Sequence, residues 1–455
     1  MINFSDKKIL IIGMAKSGVA AAQVLAKRGA KVTACDIKFP EVMQDTIEEL
    51  LRDKIEVWAG SYPEVKPENY DIIVVSPGVP LSIEPVQTAY NFNIPVIGEV
   101  ELAYLFKKPE LQMYAITGTN GKTTTTALLQ AILAGDGQEA VAGGNIGVPL
   151  TILVDSMETG VISVEVSSFQ LETTEFFKPH IAGILNITPD HLDRHKTMEA
   201  YIEAKAKIFA QQNADDFTIL NYEDEILRSF APRSNAQIIY FSTDRVLDEG
   251  LFVEQGIIKA HLNNTHIKIC NINEVSLKGQ HNLENILCAS AMALAAGVKP
   301  ENIAKVLKSF KSVRHRMEEV LDYNGVIYIN DSKATNPESA IKALESFTEP
   351  IILIAGGRNK GSRFDSFAQV LARHTKALIL LGESQQEIKS AVMAKNYTNI
   401  YEVDSLDEAV KLANRLAEPG NVVLLSPACA SWDMFDNYEQ RGDIFCALVH
   451  SICEV

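Results

Sequence analysis

The chain contains no Cys-x-x-Cys pair. Its six cysteines, Cys35, Cys270, Cys288, Cys429, Cys446 and Cys453, are scattered, which argues against a zinc knuckle or a disulfide framework and fits a reducing cytoplasm. Long apolar runs are also missing. Stretches such as 351–355 and 377–381 fall far short of the ~20 residues that cross a bilayer. The first residues lack a basic segment followed by an apolar stretch, so neither a signal peptide nor membrane insertion is expected. Positive charge is in deficit, with 42 Lys and Arg against 58 Asp and Glu and a formal net charge of −16. That balance opposes general attraction to nucleic-acid phosphates, while a local basic pocket can still bind a small anion. Repeats and low-complexity tracts are absent.

The remaining composition, 47% hydrophobic and 22% charged, is that of a soluble globular protein. A chain of 455 residues exceeds one ordinary core, and three domains are expected. Residues 8–12, 18–28 and 31–35 read as strand, helix and strand, a βαβ unit extended by strands at 72–75 and 95–97. This Rossmann-like first domain is expected over residues 1–100. A second α/β pattern opens with a strand at 112–116, continues through 161–166 and 181–186, and includes a polar, strand-rich excursion at 217–277. It is expected to form a central mononucleotide-binding domain, 101–312. From residue 326 strands and helices alternate again, giving a C-terminal Rossmann-like α/β domain, 313–455, with mostly parallel strands.

Between the strand 112–116 and the helix-forming 124–133 lies Thr117-Gly118-Thr119-Asn120-Gly121-Lys122-Thr123. Small residues at a strand-to-helix turn let backbone N–H groups converge on an anion. Lys122 supplies a point charge to the β/γ oxygens, and the Thr123 hydroxyl can ligate Mg²⁺. Ile116 stands where the full G-x-x-x-x-G-K-[ST] pattern has glycine. The bland alternative is a glycine turn with a surface lysine. The loop by itself specifies a nucleoside triphosphate, not a reaction.

Gly13-Met14-Ala15-Lys16-Ser17-Gly18 occupies the first strand-to-helix turn, and Asp36 ends the second strand. The dinucleotide fingerprint has glycine where this chain has Ala15, so ordinary NAD binding is disfavoured. An unliganded turn and a differently bound nucleotide diphosphate both remain open. Ser76-Pro77-Gly78-Val79 follows another buried strand and belongs to the same sheet edge.

Glu165 interrupts an apolar run near a strand's carboxyl end, where a phosphate-loop protein places a Mg²⁺ partner. Asn186 to Asp193 offers further polar groups, among which His191 is the candidate ligand, although a histidine there also suits a purely structural role and Asp190 and Asp193 suit capping. A helix over 201–209 places Tyr201, Ala204, Lys205, Ile208 and Phe209 on one stripe. Lys205 is therefore on the buried-looking face, and Lys207 projects elsewhere as an ordinary solvent lysine. A buried ammonium must snorkel, pair, lose its proton or be chemically altered. Three polar loops, 330–337, 355–361 and 426–431, follow strands of the last domain, and Arg316 lies just past the expected linker.

Together, residues 118–123, 144–147 (Gly-Asn-Ile-Gly), 165–171 (Glu-Val-Ser-Ser-Phe-Gln-Leu), 190–193 (Asp-His-Leu-Asp), His281-Asn282 and 331–336 (Asp-Ser-Lys-Ala-Thr-Asn) closely resemble the Mur ligases. The resemblance spans nearly the whole chain. Residues 426–431 and 435–442 are similar to those family members that add D-glutamate.

The resemblance implies ATP-dependent addition of D-glutamate to UDP-N-acetylmuramoyl-L-alanine through an acyl phosphate. It implies catalytic roles for Lys122, His191 and Lys205. ATP contacts fall on Gly118, Thr119, Asn120, Gly121, Lys122, Thr123, Thr124, Asn282, Arg316 and Asp331. The UDP substrate falls on Lys16, Ser17, Asp36, Ser76, Pro77, Gly78 and Asn145, and D-glutamate on Thr335, Lys360, Ser431 and Tyr438. Two Mg²⁺ ions are implied, with Thr123, Glu165, His191 and a carbamylated Lys205 as ligands, in a cytoplasmic monomer. Another Mur-type ligase or folylpolyglutamate synthase would differ in the amino acid that triggers ADP release. A Rossmann dehydrogenase would change NADH absorbance, and a nucleotide-binding regulator would bind without forming an amide.

Overall fold

The computed structural model describes residues 4–277, 279–310, 314–359 and 361–452. Three sheets organise them. The first contains β1 (Lys8–Ile12), β2 (Lys31–Asp36), β3 (Glu56–Ala59), β4 (Ile72–Val75) and β5 (Val96–Gly98), in the order β3-β2-β1-β4-β5. All its pairings are parallel. Its central strands read KILII and IIVV, apolar runs suited to burial on both faces. The helix Lys16–Lys27 presents Ala20, Ala21 and Ala22 inward together with Val24 and Leu25, so its backbone approaches the sheet closely.

The second sheet contains β6 (Leu111–Thr117), β7 (Ala140–Gly144), β8 (Gly160–Glu165), β9 (Ile181–Ile184), β10 (Phe217–Asn221), β11 (Gln237–Ser242), β12 (Gly250–Glu254), β13 (Ile257–Leu262) and β14 (Thr265–Asn271). Its order is β14-β13-β12-β11-β10-β9-β6-β8-β7. The strand-rich excursion therefore extends the nucleotide-type sheet, and only β12-β13 and β13-β14 pair antiparallel. Phosphate-loop residues leave the C-terminal end of β6, between β8 and β9, where ligands collect in open parallel sheets.

The first two sheets belong to one compact unit, residues 1–276 with 284–310. Ile9 and Ile11 of β1, Val100 and Phe106 of the helix Glu99–Phe106, and Leu111 and Met113 of β6 lie in one continuous buried cluster. Each such side chain contributes roughly 1.5–3 kcal/mol on burial. Polar clips fix this junction: Glu101 accepts the N–H groups of Glu175, Phe176 and Phe177 at 3.1, 2.7 and 3.0 Å. Glu99 accepts the N–H and hydroxyl of Thr151 at 2.6 and 2.9 Å.

The other unit, residues 277–283 with 311–455, is built on β15 (Glu318–Tyr323), β16 (Val326–Asn330), β17 (Ile351–Gly356), β18 (Thr375–Leu381), β19 (Ile400–Glu402) and β20 (Val422–Leu425). The order is β15-β16-β20-β17-β18-β19, and β15-β16 is the antiparallel pair. Apolar clusters cover both faces of this sheet. No helix among the described residues is long and apolar enough to cross a membrane.

Candidate active site

The helix Lys122–Gly135 begins directly after the glycine-bearing loop, with Gly121 as N-cap at φ +86°. A Cβ at Gly121 would lie 2.1 Å from the Asn285 Oδ1 atom, so both backbone angle and space require glycine. The loop is braced from β9: the Thr119 N–H donates to Asn186 O and the Asn120 N–H to Asn186 Oδ1, each at 2.9 Å. Lys122 Nζ curls back onto the carbonyl oxygens of Gly118 and Thr119 at 2.9 and 2.8 Å. Helix-start N–H groups and an ammonium thus lie on one loop, an arrangement suited to a polyphosphate. Thr124 is buried on the same first turn.

Thr123 Oγ1 donates to Glu165 Oε2 at 2.7 Å, and Asn145 Nδ2 donates to Glu165 Oε1 at 2.9 Å. The buried carboxylate at the end of β8 therefore joins the phosphate loop to the Gly144–Gly147 turn. Among the described residues no three His, Cys, Asp or Glu side chains gather as a metal cluster. A divalent cation would find here one carboxylate, one hydroxyl and the oxygens of its nucleotide, the hard donors that suit Mg²⁺.

Lys205 is 1% exposed and donates from Nζ to Gly118 O at 2.8 Å. Burial foremost, then the charge of Lys122, hold its ammonium well below the ordinary lysine range against the pull of Asp190. Beneath it Tyr201, also buried, brings its hydroxyl 3.1 Å from Thr119 Oγ1. The expected stripe of Tyr201, Ala204, Lys205, Ile208 and Phe209 is buried throughout. The helix itself runs Met198–Ala206 and tightens into a 3-10 turn, Lys207–Phe209. One expectation is overturned here. Lys207 is not an ordinary solvent lysine: it is half-buried and donates to the Glu172 carbonyl at 2.6 Å, capping a helix end.

His191 is the N-cap of the short helix Leu192–His195 in the left-handed region, φ +54°. Its Nε2 lies 3.5 Å from Asp190 Oδ2, and its ring meets Phe169 edge-on at 4.7 Å. The side chain is partly open to solvent, and Asp190 accepts the His191 N–H at 2.9 Å.

In the first sheet, Asp36 turns its carboxylate onto the glycine turn, accepting the Met14 N–H at 2.8 Å and the Lys38 N–H at 3.0 Å. Ser76 Oγ donates to Gly13 O at 2.8 Å, joining the two turns. Gly13 has φ +95°, and a Cβ on it would meet Ser76 Cβ at 2.8 Å. Lys16 Nζ reaches Gly147 O at 2.6 Å, which brings the first turn to the loop that carries Asn145. Ser17 and Pro77 are half-buried and Gly78 is exposed.

In the C-terminal unit, Asp331 is buried, accepts from Ser426 Oγ at 2.8 Å and from the Met317 N–H at 3.3 Å. Burial raises its carboxyl to about 6, opposed by Arg316 and by the Ser426 hydroxyl. Ser332 Oγ donates to the Tyr438 carbonyl at 2.8 Å. Ser431 is buried, while Thr335 and Tyr438 are half-buried. Asn282 is buried in the helix Gln280–Ala295. Lys360 lies outside the described residues.

Two arginines escaped the sequence reading. Arg441, 2% exposed, donates from Nε to Ser332 Oγ at 3.0 Å and from Nη2 to Ser332 O at 2.8 Å and Cys429 O at 3.3 Å, tying two of the polar loops together. Its helix stripe with Gly442, Phe445 and Val449, all buried, is the signal that would have found it. Arg194 reaches Pro77 O across 117 positions of chain, a pairing that no local pattern encodes.

Three family models match: the Mur ligase MurD-like, N-terminal domain at residues 7–98, the Mur ligase middle domain at 116–293, and the Mur ligase, glutamate ligase domain at 315–429. The UDP-N-acetylmuramoylalanine--D-glutamate ligase of Pelotomaculum thermopropionicum is 48% identical over 451 residues, 99% of each chain. The protein of that name from Clostridioides difficile is 43% identical over 446 residues, 98% of each chain. Among solved structures, UDP-N-acetylmuramate-alanine ligase MurC from Thermotoga maritima aligns with TM-score 0.61 at 20% identity, covering 98% of this chain and 100% of that one. MurF from Acinetobacter baumannii aligns with TM-score 0.62 at 17% identity, covering 100% and 95%. These structural likenesses speak to the fold.

Proposed function

The chain belongs to the Mur ligase family, and we propose that it is an ATP-dependent ligase that joins D-glutamate to UDP-N-acetylmuramoyl-L-alanine, a step of peptidoglycan precursor synthesis. The observation that carries the reading is the meeting, at one loop, of Lys122, the Thr123–Glu165 pair and the fully buried Lys205. The phosphate loop holds ATP through Gly118 to Thr124. The carboxylate of the muramoyl substrate attacks the γ-phosphorus, ADP departs, and Lys122 offsets the charge that develops. The D-glutamate amine then attacks the acyl carbon, and inorganic phosphate and a proton leave. Mg²⁺ bound by Thr123, Glu165 and His191 would neutralise phosphate charge.

Once carbamylated, Lys205 would complete that ligand set. An amine deprived of its proton by burial adds CO₂ with loss of a proton, which replaces a buried cation by a carboxylate-like group. The site assignments follow the same reading: Lys16, Ser17, Asp36, Ser76, Pro77, Gly78 and Asn145 for the UDP substrate, Asn282, Arg316 and Asp331 for ATP, and Thr335, Lys360, Ser431 and Tyr438 for D-glutamate. The enzyme acts in the cytoplasm as a monomer.

Purified protein with ATP, Mg²⁺ and UDP-N-acetylmuramoyl-L-alanine should release ADP and form the D-glutamyl product, by mass, with D-glutamate uniquely effective. Equal turnover with L-glutamate or a diamino acid would move the chain to another Mur-type ligase or to folylpolyglutamate synthase chemistry.

A further inference from the structure

The Ser76-Pro77-Gly78 turn leaves the first sheet and His191 leaves the second, and one side chain spans them. Arg194 Nη1 donates to Pro77 O at 2.5 Å, while its Nη2 donates to Glu172 Oε2 at 3.0 Å. The guanidinium carbon rests 4.1 Å from the centre of the Phe169 ring, the ring whose edge-on partner is His191. Phe169 also stacks on His195 at 5.3 Å. His195 in turn holds Glu172 Oε1 at 3.2 Å and Ser168 Oγ at 2.9 Å. Burial pushes the Glu172 carboxyl up, but His195 and Arg194 outweigh it and hold the group below its ordinary value. Arg194 and Glu172 are 17% and 21% exposed, so the pair is largely shielded from solvent.

We propose that Arg194 is a positioning residue that sets affinity for the nucleotide-sugar substrate by pinning the Pro77 carbonyl to the wall that carries His191. It rests on the assignment, under Proposed function, of the Ser76-Pro77-Gly78 turn to that substrate. The chemistry requires arginine. A planar fork stacked on a ring can donate to a backbone carbonyl on one side and a carboxylate on the other, whereas an ammonium on a flexible stem keeps the charge but not the fixed two-way span. Released from Arg194, the turn loses a charge-assisted tether, while the freed carbonyl and Glu172 can both turn to water.

Arg194→Lys and Arg194→Ala are expected to raise KM for UDP-N-acetylmuramoyl-L-alanine tenfold or more. KM for ATP and for D-glutamate stays within about twofold, and kcat changes less than KM. Glu172→Gln shifts the same KM in the same direction by less, and methylguanidine partly restores Arg194→Ala. Titration calorimetry with the UDP substrate alone reads the same weakening without turnover. A wild-type KM for that substrate in Arg194→Ala, or an equal rise for all three substrates, overturns the inference. Wild-type protein that binds the UDP substrate but forms no D-glutamyl product sinks the functional reading instead, and the calorimetric comparison still decides the role of Arg194.

Discussion

The Nζ of Lys205 is fully buried, 2.8 Å from the Gly118 carbonyl, under the field of Lys122. Keeping a second cation there costs several kcal/mol, and the proposed carbamylation would remove that cost while adding an anion beside the phosphate loop. Lys205→Ala should therefore lose roughly 100-fold or more in kcat, and short carboxylic acids should restore part of it by entering the vacated space. Unaltered turnover in that variant would exclude the carbamate role. Helical spacing alone made Lys205 conspicuous. The same spacing hid Lys207, whose ammonium reaches across to the Glu172 carbonyl, a partner that helical spacing does not encode. Arg441 could have been found by the identical argument, whereas Arg194 could not, since its meaning depends on Pro77, in the turn beyond β4.

At the scale of elements, the helix Glu99–Phe106 opens with a carboxylate that has one oxygen bound to Thr151 and the other, Oε2, buried without a hydrogen-bond partner among the described residues. Burial raises this carboxyl from 4.5 to about 7, against the lowering effect of Thr151 and Leu150. A folded-state value above the unfolded one means that the stabilising contribution is whole below about 4.5 and is lost as pH rises through about 7. Glu99→Gln removes that dependence. Its stability relative to wild type should therefore rise between pH 5 and pH 8, by up to about 3 kcal/mol, in urea unfolding at each pH. A difference that stays flat with pH would show that the group ionises freely in the folded protein. Strands β1, β4 and β9 were legible because they are almost entirely apolar. Their lateral order was not, for parallel pairing is set by crossover helices and leaves no mark on the strands themselves.

The whole molecule divides along its cores. The first two sheets share a continuous buried cluster, and the third carries apolar clusters on both faces of its own sheet. Alternation of strands and helices suggested three similar domains from sequence, but it could not tell which of them share a core, because that depends on side chains such as Phe4 and Phe106, whose rings meet edge-on at 4.8 Å. Two cores imply two cooperative transitions on heating. The larger unit has about twice as many residues, so its transition should absorb about twice the enthalpy. Ligands raise the midpoint of the unit whose native state holds them, and the phosphate loop, which carries most of the ATP contacts assigned above, lies in the larger one. Calorimetry with Mg-ADP should move the larger transition upward by several degrees, and Lys122→Ala should abolish most of that movement. A single transition, or a shift undiminished in Lys122→Ala, would mean either that the two units unfold together or that nucleotide is gripped elsewhere than at the loop between β6 and the helix Lys122–Gly135.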